Sequence, residues 1–370
     1  MNFLFSDDQL AIQELVEKIM ADRITDEFWR NFGNNDAPLD DNIWKSLADA
    51  GLLGVALPEV YGGSEMSIVE LCILLEAQGR FLVPIPLLST LVAGALPIAR
   101  FGNDVQKNTY LPEVIKGNMI LSIAIGELGK PKDSIAFEAQ CQEDLWVISG
   151  ASEAVPYAEQ AKAILVPARI ENELALFIVN CDQDGVILDC QQTTNGQPVA
   201  RLELDNLKLS KESLLIQGEE GWRWLEQNIL VAVAAMQLGV AQEALRRTAE
   251  YSTERHQFGV PICNFQSVAH RAANAYIDVE AMRSTLWLAA WRLSENLPAE
   301  AEVRTAKWWA SEGAHRVAHT AQHLHGGIGS DMDYPLHRYF LWAKQLEFTG
   351  GGARIQLLAL GSFFNKLTNE

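Results

Sequence analysis

The sequence predicts a mainly helical α+β protein, in which a helical domain, a β domain and a helical bundle follow one another. Two changes in the apolar pattern support this prediction. Apolar residues recur at helical spacing from Ser6 to about Gly117, and form short or alternating runs from about Asn118 to Leu209. Helical spacing returns after Gly221. The chain has 370 residues, 48% of them hydrophobic, which is enough for several packed domains. The expected domains are 1–117, 118–215 and 216–370.

The first of these domains carries helix signals on both sides of a turn. The segment from Ile43 to Gly51 ends in glycine, as helices often do, and Ser67-Ile-Val-Glu70 is a capping box that opens the next helix. Leu57-Pro-Glu-Val-Tyr-Gly-Gly63 lies between them and predicts a turn. The stretch from Phe81 to Ala99 is uncharged and nearly long enough for a membrane span. Three prolines interrupt it, so a kinked pair of short buried helices is expected instead.

Four short runs in the middle of the chain have the composition of β-strands. Each run is apolar or alternating and is bounded by Gly, Asn, Asp or Pro. The four runs are 145–150, 163–166, 174–179 and 201–204. Because no long helical pattern separates them, the sequence favours an antiparallel sheet or a barrel over a βαβ arrangement.

The C-terminal part predicts an antiparallel helical bundle, because its helical segments are long and its loops are short. The predicted helices are 222–252, 267–296, 301–324, 335–347 and 351–366. His315, His319 and His323 fall on one stripe of the third helix. A metal site is one interpretation, but no carboxylate has the spacing of a zinc hydrolase and no second group of ligands is evident. A solvated or interface helix face is favoured, and no metal is expected.

Charge and cysteine content argue against several classes of function. The chain has 48 acidic and 29 basic side chains, a net charge of −19, so a polyanion such as DNA is a poor main partner. Its five cysteines are scattered without a CxxC pair, which makes a poor disulfide framework and a poor zinc site. The first residues lack the basic region of a secretory signal. A cytoplasmic protein without a membrane span is expected.

Four motifs occur here in the order in which one family has them. They are the Pro58-Glu-Val-Tyr-Gly-Gly63 turn, the Arg255-x-x-Phe-Gly loop with its downstream Phe265-Gln266, the Gly326-Gly-x-Gly329 cluster and Asp333-Tyr-Pro335. Each motif alone is weak, since a glycine cluster at a helix end is most often only a C-cap. Together they resemble the acyl-CoA dehydrogenase family over essentially the whole chain. The resemblance implies an N-terminal helical domain, a middle β-barrel and a C-terminal four-helix bundle, with FAD as cofactor and an acyl-CoA as substrate.

The resemblance also implies a reaction, the α,β-desaturation of an acyl-CoA thioester. A carboxylate removes the α-proton while the β-hydrogen leaves as hydride to the flavin, and donors stabilise the developing enolate. In many members the base is a Glu fifteen residues after the proline that corresponds to Pro335, and this position is Gly350 here. Other members carry the Glu twenty-six residues before the loop arginine, which is Ile229 here. Both positions therefore lack the base, and no catalytic residue is assigned to this chain.

Segments that would face the flavin ring also differ from the family. Gly126-Glu-Leu-Gly129 replaces a Thr-Glu-Pro-Gly loop and Ala154-Val-Pro156 replaces Trp-Ile-Thr, so two threonine donors and a stacking tryptophan are missing. By contrast, the residues that reach across a subunit interface to a neighbour's FAD are largely kept. These are Arg255, Gln257, Phe258, Gln266, Gly326 and Gly327, with His323 where the family usually has glutamine.

The chain keeps the residues that reach a neighbour's FAD but lacks the base and the threonines at the flavin ring. In this respect it resembles the subunit without the catalytic Glu in heteromeric acyl-CoA dehydrogenases that act on sterol or bile-acid side chains. The likeness includes Tyr157-Ala-Glu-Gln-Ala161, His323-Leu-His-Gly-Gly327 and Tyr334-Pro-Leu-His-Arg-Tyr339. It implies a heterotetramer in which a second subunit carries the Glu, with electron-transfer flavoprotein as acceptor. Arg255 would bind the phosphates of the shared FAD, Phe258 would form an apolar wall, and the glycines would permit close backbone approach.

Two alternative hypotheses stay open. An active homo-oligomer could use Glu347 or Glu226 as a relocated base, because each lies three residues, almost one helical turn, before an empty position. A glutamate on the surface or on the rim of the bundle is the simpler interpretation of either residue. The second alternative is a flavin-free scaffold protein, which His323 and the altered loops of the β domain would allow.

Overall fold

The computed structural model describes residues 4–32, 41–129 and 134–369. Helices form the first and last parts of the described chain and strands the middle, as the apolar pattern predicts. The described residues form two compact units, one drawn from 1–36, 68–83 and 230–370 and the other from 37–67 and 84–229. The sequence boundaries near 117 and 215 stay a prediction.

The helices follow the sequence pattern closely. In the described residues, the α-helices are α1 (Asp7–Ala21), α2 (Asp26–Phe32), α3 (Asp41–Asp49), α4 (Ile68–Phe81), α5 (Leu96–Phe101), α6 (Asp104–Ile115), α7 (Glu219–Glu254), α8 (Gln266–Ser294), α9 (Glu300–His325), α10 (Leu336–Phe348) and α11 (Ala353–Asn369). The five predicted bundle helices are α7 to α11, and each predicted end lies within three residues of the observed one.

Local capping explains several helix ends. At the start of α1, the Ser6 hydroxyl accepts from the Gln9 amide and the Gln9 side chain accepts from the Ser6 amide, which is a capping box. After α3, Gly51 has φ +74°, a left-handed conformation that glycine adopts at little cost, as predicted. The uncharged stretch of the first domain forms a π-helix at Leu88–Ala95 that continues into α5, which confirms the expected pair of short buried helices.

In the described residues, the middle of the chain forms one eight-stranded sheet. Its strands are β1 (Leu121–Ile123), β2 (Glu138–Gln142), β3 (Leu145–Pro156), β4 (Ala163–Ile170), β5 (Glu173–Asn180), β6 (Val186–Gln192), β7 (Pro198–Ser210) and β8 (Leu214–Gln217). Their order is β6-β7-β3-β2-β4-β5-β8, with β1 beside β4. Neighbours pair antiparallel except where β1 and β2 meet β4. Phe137, Ile148 and Phe177 are fully buried in its core. The four predicted runs lie in β3, β4, β5 and β7.

Helix α7 is long, largely buried and in close contact with α4. It is the one helix in the described residues that is long and apolar enough to cross a membrane, but 89% of its apolar stretch is buried inside the protein. Two glycines bring α4 and α7 close together. A Cβ on Gly79 would lie 1.9 Å from the carbonyl O of Met236, and a Cβ on Gly239 would lie 1.9 Å from that of Glu76. The apolar length of α7 therefore serves core packing.

Candidate functional site

A short hairpin between α7 and α8 carries two of the residues expected at the cofactor, Gln257 and Phe258. Strands β9 (His256–Gln257) and β10 (Val260–Pro261) pair antiparallel, and Phe258 and Gly259 form the turn with φ +56° and +82°. A non-glycine residue in this region is strained. The Phe258 side chain is nevertheless 94% exposed, with its ring centroid 6.2 Å from that of Phe265. The hairpin thus presents an aromatic ring to its surroundings.

The two residues that flank this hairpin are also exposed. The Arg255 amide donates to the Tyr251 carbonyl at 2.8 Å, and the Arg255 carbonyl accepts from the Ile262 amide at 2.8 Å. These bonds fix the backbone, while the guanidinium of Arg255 is exposed and has no side-chain partner among the described residues. Gln266 is the first residue of α8 and is exposed as well.

The glycine cluster follows directly after α9. Gly326 has φ +64°, and its amide donates to the Gln322 carbonyl. A Cβ on Gly329 would lie 2.5 Å from Oε1 of Gln322 and 3.2 Å from Cβ of His325, so a larger residue there would have to displace the Gln322 side chain. A Cβ on Gly327 would meet no atom within 4 Å, and its φ is not left-handed. Neither packing nor conformation in this chain explains Gly327, and the space beside it is open to an outside group.

His325 fixes this turn relative to the hairpin. It is buried, with Nδ1 2.9 Å from the Ala321 carbonyl and Nε2 3.2 Å from the Tyr334 hydroxyl. Burial lowers the pKa of His325, so the neutral ring donates through Nδ1 and accepts at Nε2. The ring of Tyr251, whose carbonyl holds the Arg255 amide, stacks on His325 at 4.3 Å. The sequence pattern does not reveal this support, although the neighbouring glycine pair marks the place.

A cleft of about 1120 Å³ lies between α8 and α9. Its lining includes three of the expected residues, His323, Gly326 and Gly327, whereas Arg255, Gln257, Phe258 and Gln266 lie outside it. The residues that α8 and α9 add are Arg271, Asn274, Ala275, Asp278, His315, Arg316, His319, Thr320 and Gln322, and Ser330 completes the lining. No sequence motif predicts this cleft, because its walls come from two helices.

The two positions at which the family places its base carry no acidic residue here, and the local structure differs between them. Gly350 has φ +71°, and a Cβ there would lie 2.7 Å from Cδ2 of Leu230. The Gln356 side-chain amide donates to the carbonyls of Gly350 and Gly351, both at 2.9 Å. Ile229 is fully buried in α7 and offers only an alkyl chain. Neither position therefore provides a carboxylate.

The two glutamates considered as relocated bases, Glu347 and Glu226, are held within the fold, one by polar contacts and the other by burial. Oε2 of Glu347 is 2.9 Å from Nζ of Lys344 and 3.2 Å from Nδ1 of His315. The Glu347 carbonyl accepts from Nζ of the buried Lys307 at 3.1 Å. Glu226 is buried in α7. The carboxylate of Glu347 is therefore held in an ion pair with the cation of Lys344.

The histidine stripe of α9 takes part in contacts with α10. Nδ1 of His315 lies 2.6 Å from Nζ of Lys344, and the rings of His315 and His319 lie 4.5 Å apart. Burial lowers the pKa of His319. Within the described ranges, no group of three His, Cys, Asp or Glu side chains is placed to hold a metal ion.

The β-domain segments expected at the flavin ring carry no threonine hydroxyl, and Pro156 adds no backbone donor. Ala154 has φ +56° and lies where β3 bulges against β7, and Val155 is fully buried. The Pro156 carbonyl accepts from the Ser122 hydroxyl, and proline itself has no N–H to donate. A Cβ on Gly126 would lie 3.1 Å from the Glu153 carbonyl, so a larger residue there would be crowded.

Comparison with known proteins agrees with the architecture. Residues 6–118 match the family model "Acyl-CoA dehydrogenase, N-terminal domain", and residues 219–363 match "Acyl-CoA dehydrogenase, C-terminal domain". Acyl-CoA dehydrogenase FadE27 of Mycobacterium tuberculosis is 36% identical over an alignment of 370 positions that covers 98% of each chain. A chain of the ChsE4-ChsE5 complex of Mycobacterium tuberculosis is 37% identical over 99% of both chains, with a TM-score of 0.93.

A second solved structure is similar to the same degree. A chain of the Tcur3481-Tcur3483 steroid ACAD is 39% identical, with a TM-score of 0.92, covering 98% of this chain and 99% of that one. Matches of this identity over nearly full length establish kinship and not only a shared fold. The motifs, the order of helices and strands, and these relatives agree, and the chain belongs to the acyl-CoA dehydrogenase family.

Proposed function

We propose that this chain is the subunit of a heteromeric FAD-dependent acyl-CoA dehydrogenase that lacks the base and completes the FAD site of a second subunit. The observation that carries this proposal is the closed position at Gly350, where a side chain would meet both an unfavourable backbone conformation and Leu230. The desaturation needs a carboxylate against the α-proton. That group then comes from the second subunit.

The family's cofactor is FAD, and the residues of this chain fit one half of it. The Arg255 guanidinium is exposed and has no side-chain partner in the described part of the chain, so it can donate charge-assisted hydrogen bonds to phosphates. The open space at Gly327 admits an outside group against the backbone, and the exposed ring of Phe258 can cover an apolar surface. When bound, FAD supplies the acceptor for the hydride. The segments at Gly126 and Pro156 do not fit its ring.

Two solved relatives support the heteromeric assembly and the substrate class. One is a complex of ChsE4 with ChsE5, and the other is a two-component steroid ACAD. We infer that this chain pairs with a second acyl-CoA dehydrogenase subunit and that the pair acts on the acyl-CoA thioester of a steroid side chain. Electron-transfer flavoprotein as acceptor follows from the family resemblance.

The test compares this chain alone, its partner alone and the mixture. Flavin absorbance and dye-linked oxidation of steroid acyl-CoA esters are measured on each purified sample. The proposal expects colour and turnover only when both subunits are present. Yellow and active protein from this chain alone would instead support a relocated base. Absence of flavin from every sample would support a scaffold.

Two substitutions refine the result. In the active complex, replacing the partner's glutamate with Gln should abolish turnover and leave the flavin bound, since that group acts only on the substrate proton. Glu347→Gln and Glu226→Gln in this chain should leave turnover in the complex within about threefold, because neither carboxylate is the base. A loss of several hundredfold in either variant would contradict the proposal.

A further inference from the structure

We propose that four buried side chains clamp the end of α10, and that the loop after it opens when one of them, Lys307, takes up a proton. The clamp consists of Arg304, Lys307, Ser311 and Gln356. The loop is 349–352, which joins α10 to α11 and contains Gly350, one of the positions at which the family places its base. The inference concerns the conformational states of this chain and is independent of the proposed function.

Two members of the clamp bind the last carbonyls of α10. Such carbonyls have no partner within their own helix, and a buried helix end needs other donors. Nζ of Lys307 on α9 donates to the carbonyls of Leu346 and Glu347 at 3.2 and 3.1 Å. The hydroxyl of Ser311, one turn further along α9, donates to the Glu347 carbonyl at 3.2 Å. Both side chains are fully buried, so they serve as the donors that the end of α10 lacks.

The other two members hold the loop itself. The Gln356 side-chain amide donates to the carbonyls of Gly350 and Gly351, both at 2.9 Å. Nη1 of Arg304 donates in turn to Oε1 of Gln356 at 3.3 Å, and Nε of Arg304 donates to Oε1 of Glu300 at 2.9 Å. The amide of Gln356 is therefore fixed through both its nitrogen and its oxygen, and the closed loop is held from α9 and α11 together.

Lys307 is the member of the clamp whose charge changes within an accessible range of pH. Burial lowers the pKa of Lys307 to about 7 from an ordinary value of 10.5. The two carbonyls and the Ser311 hydroxyl around Nζ suit the three donors of an ammonium group, but burial has the larger effect. The closed clamp therefore disfavours the charged amine, whereas a lysine in water is charged up to about pH 10.

The charged groups around the clamp do not reverse this preference. Among the described residues, Glu347 is the charged group that acts on the pKa of Lys307, and it opposes the effect of burial. The Glu347 carboxylate lies 2.9 Å from Nζ of Lys344 and 3.2 Å from Nδ1 of His315. On α9 an ion pair neutralises the guanidinium of Arg304, and α11 contributes a neutral amide to the clamp. Burial remains the largest influence on the amine.

The loop is suited to local opening. Phe348, at the end of α10, is 70% exposed, and loop residues 349, 351 and 352 are half-buried. Gly350 and Gly351 have φ +71° and +90°, and glycine exchanges such conformations with others at little cost. Segments of this kind open at a lower free energy than global unfolding. An opening that admits water to Lys307 lets the amine take up a proton, so the loop opens more often as the pH falls from 10.5 towards 7.

Hydrogen exchange of the full chain, corrected for the intrinsic pH dependence of amide exchange, tests this coupling. The reporters are the amides of Thr349, Gly351 and Gln356, which donate to the carbonyls of Gln345, Phe348 and Gly352. We expect their protection factors to rise by up to roughly tenfold per pH unit above pH 7 and to be constant below it. Amides of the buried α4 should be better protected, since the loop opens without that helix.

Two substitutions separate the proton from the bonds. Lys307→Met removes the titrating amine and should abolish the pH dependence of loop protection. Gln356→Leu removes the bonds to the loop carbonyls, so it should lower loop protection several-fold at every pH while the pH dependence stays, because Lys307 remains. Lys116→Met is the matched control, since Lys116 is exposed and pairs with the nearby Glu113. Its profile should match that of the unsubstituted chain.

Three results would overturn the inference. Loop protection that is independent of pH in the unsubstituted chain would show that opening takes up no proton. A pH dependence that survives in Lys307→Met would assign the proton to another group. Equal protection of the loop amides and the α4 amides would mean that the loop opens only when the whole chain unfolds. If Lys307→Met does not fold, Lys307→Gln is measured instead and judged by the same criteria.

Discussion

A Cβ on Gly350 would stand 2.7 Å from Cδ2 of Leu230, closer than non-bonded carbons approach. Gly350 also has φ +71°, and Gln356 binds its carbonyl at 2.9 Å. The backbone conformation of this loop therefore favours glycine at position 350, and a side chain there would have to displace that of Leu230. The loop has adapted to the absence of a side chain, and restoring a carboxylate would require the loop or Leu230 to move.

We expect Gly350→Glu to lower the free energy of unfolding by about 1–3 kcal/mol, because it adds backbone strain and a steric clash. It should not create dehydrogenase activity in the isolated chain. Denaturant unfolding and a dye-linked assay measure the two effects. Gly361→Glu is the control, since Gly361 lies in α11, where a Cβ would meet no atom within 4 Å, and should tolerate the change. Turnover by Gly350→Glu alone would contradict this prediction.

Phe258 should show opposite effects on stability and on cofactor binding. Its φ is +56° and its ring is 94% exposed, so the residue costs backbone energy and gains little packing in the isolated chain. We expect Phe258→Gly to raise the free energy of unfolding of the isolated chain by up to about 1 kcal/mol. The same substitution should weaken FAD retention in the complex several-fold, because the apolar wall is lost.

Thermal unfolding of the chain and flavin titration of the complex check this pair of effects. Val60→Gly is a suitable control, because Val60 is also highly exposed and lies in the first-domain turn. Destabilisation of the isolated chain by Phe258→Gly would mean that the contact with Phe265 supports the fold. Unchanged FAD retention would mean that the ring has no part in the shared site.

The sequence predicted the elements better than the contacts between them. Apolar spacing located α7 to α11 within three residues, because long amphipathic or buried helices leave a strong periodic signal. The glycine at position 350 was visible as a missing carboxylate, but its positive φ and its contact with Leu230 were not. The stacking of Tyr251 on His325 joins residues far apart in sequence. Such contacts, like the pairing of helices around Arg271, arise only in the tertiary structure.

The buried Lys307 should make stability depend on pH in the alkaline range. Its Nζ donates to the Ser311 hydroxyl at 2.7 Å and to the carbonyls of Leu346 and Glu347 at 3.2 and 3.1 Å. Burial lowers the pKa of Lys307 to about 7, from an ordinary value of 10.5. Between these values the unfolded chain binds more protons than the folded one, so this lysine's contribution to stability rises as pH rises.

Lys307→Met removes the titrating group and should flatten that dependence. We expect the unsubstituted chain to gain stability relative to the variant from about pH 7 to pH 10.5, and to show no further relative change below pH 7. Urea unfolding at several pH values measures the difference. Lys116→Met is the control, because Lys116 is exposed and pairs only with the nearby Glu113 in the described chain. A parallel pH profile for Lys307→Met would show that the lysine titrates normally.

Gly239, at the close contact between α4 and α7, should tolerate a larger side chain very poorly. A Cβ on Gly239 would lie 1.9 Å from the Glu76 carbonyl and 2.7 Å from the Arg80 amide, and backbone atoms of a packed helix cannot yield as a side chain can. We expect Gly239→Ala to lower the free energy of unfolding by about 3 kcal/mol or more. Gly361→Ala, in open surroundings, should instead be neutral or stabilise by up to about 1 kcal/mol.

The same substitution tests how the core supports the candidate site. Helix α7 carries Leu230 and leads directly into the hairpin of Arg255 and Phe258. If Gly239→Ala separates α4 from α7, the end of α7 shifts with it, and the hairpin no longer presents its groups in the same place. FAD affinity of any folded variant complex should then fall while that of the Gly361→Ala complex stays unchanged. A folded Gly239→Ala complex with normal FAD affinity would show that the hairpin is positioned by its own bonds to Tyr251 and not by the packing of α7.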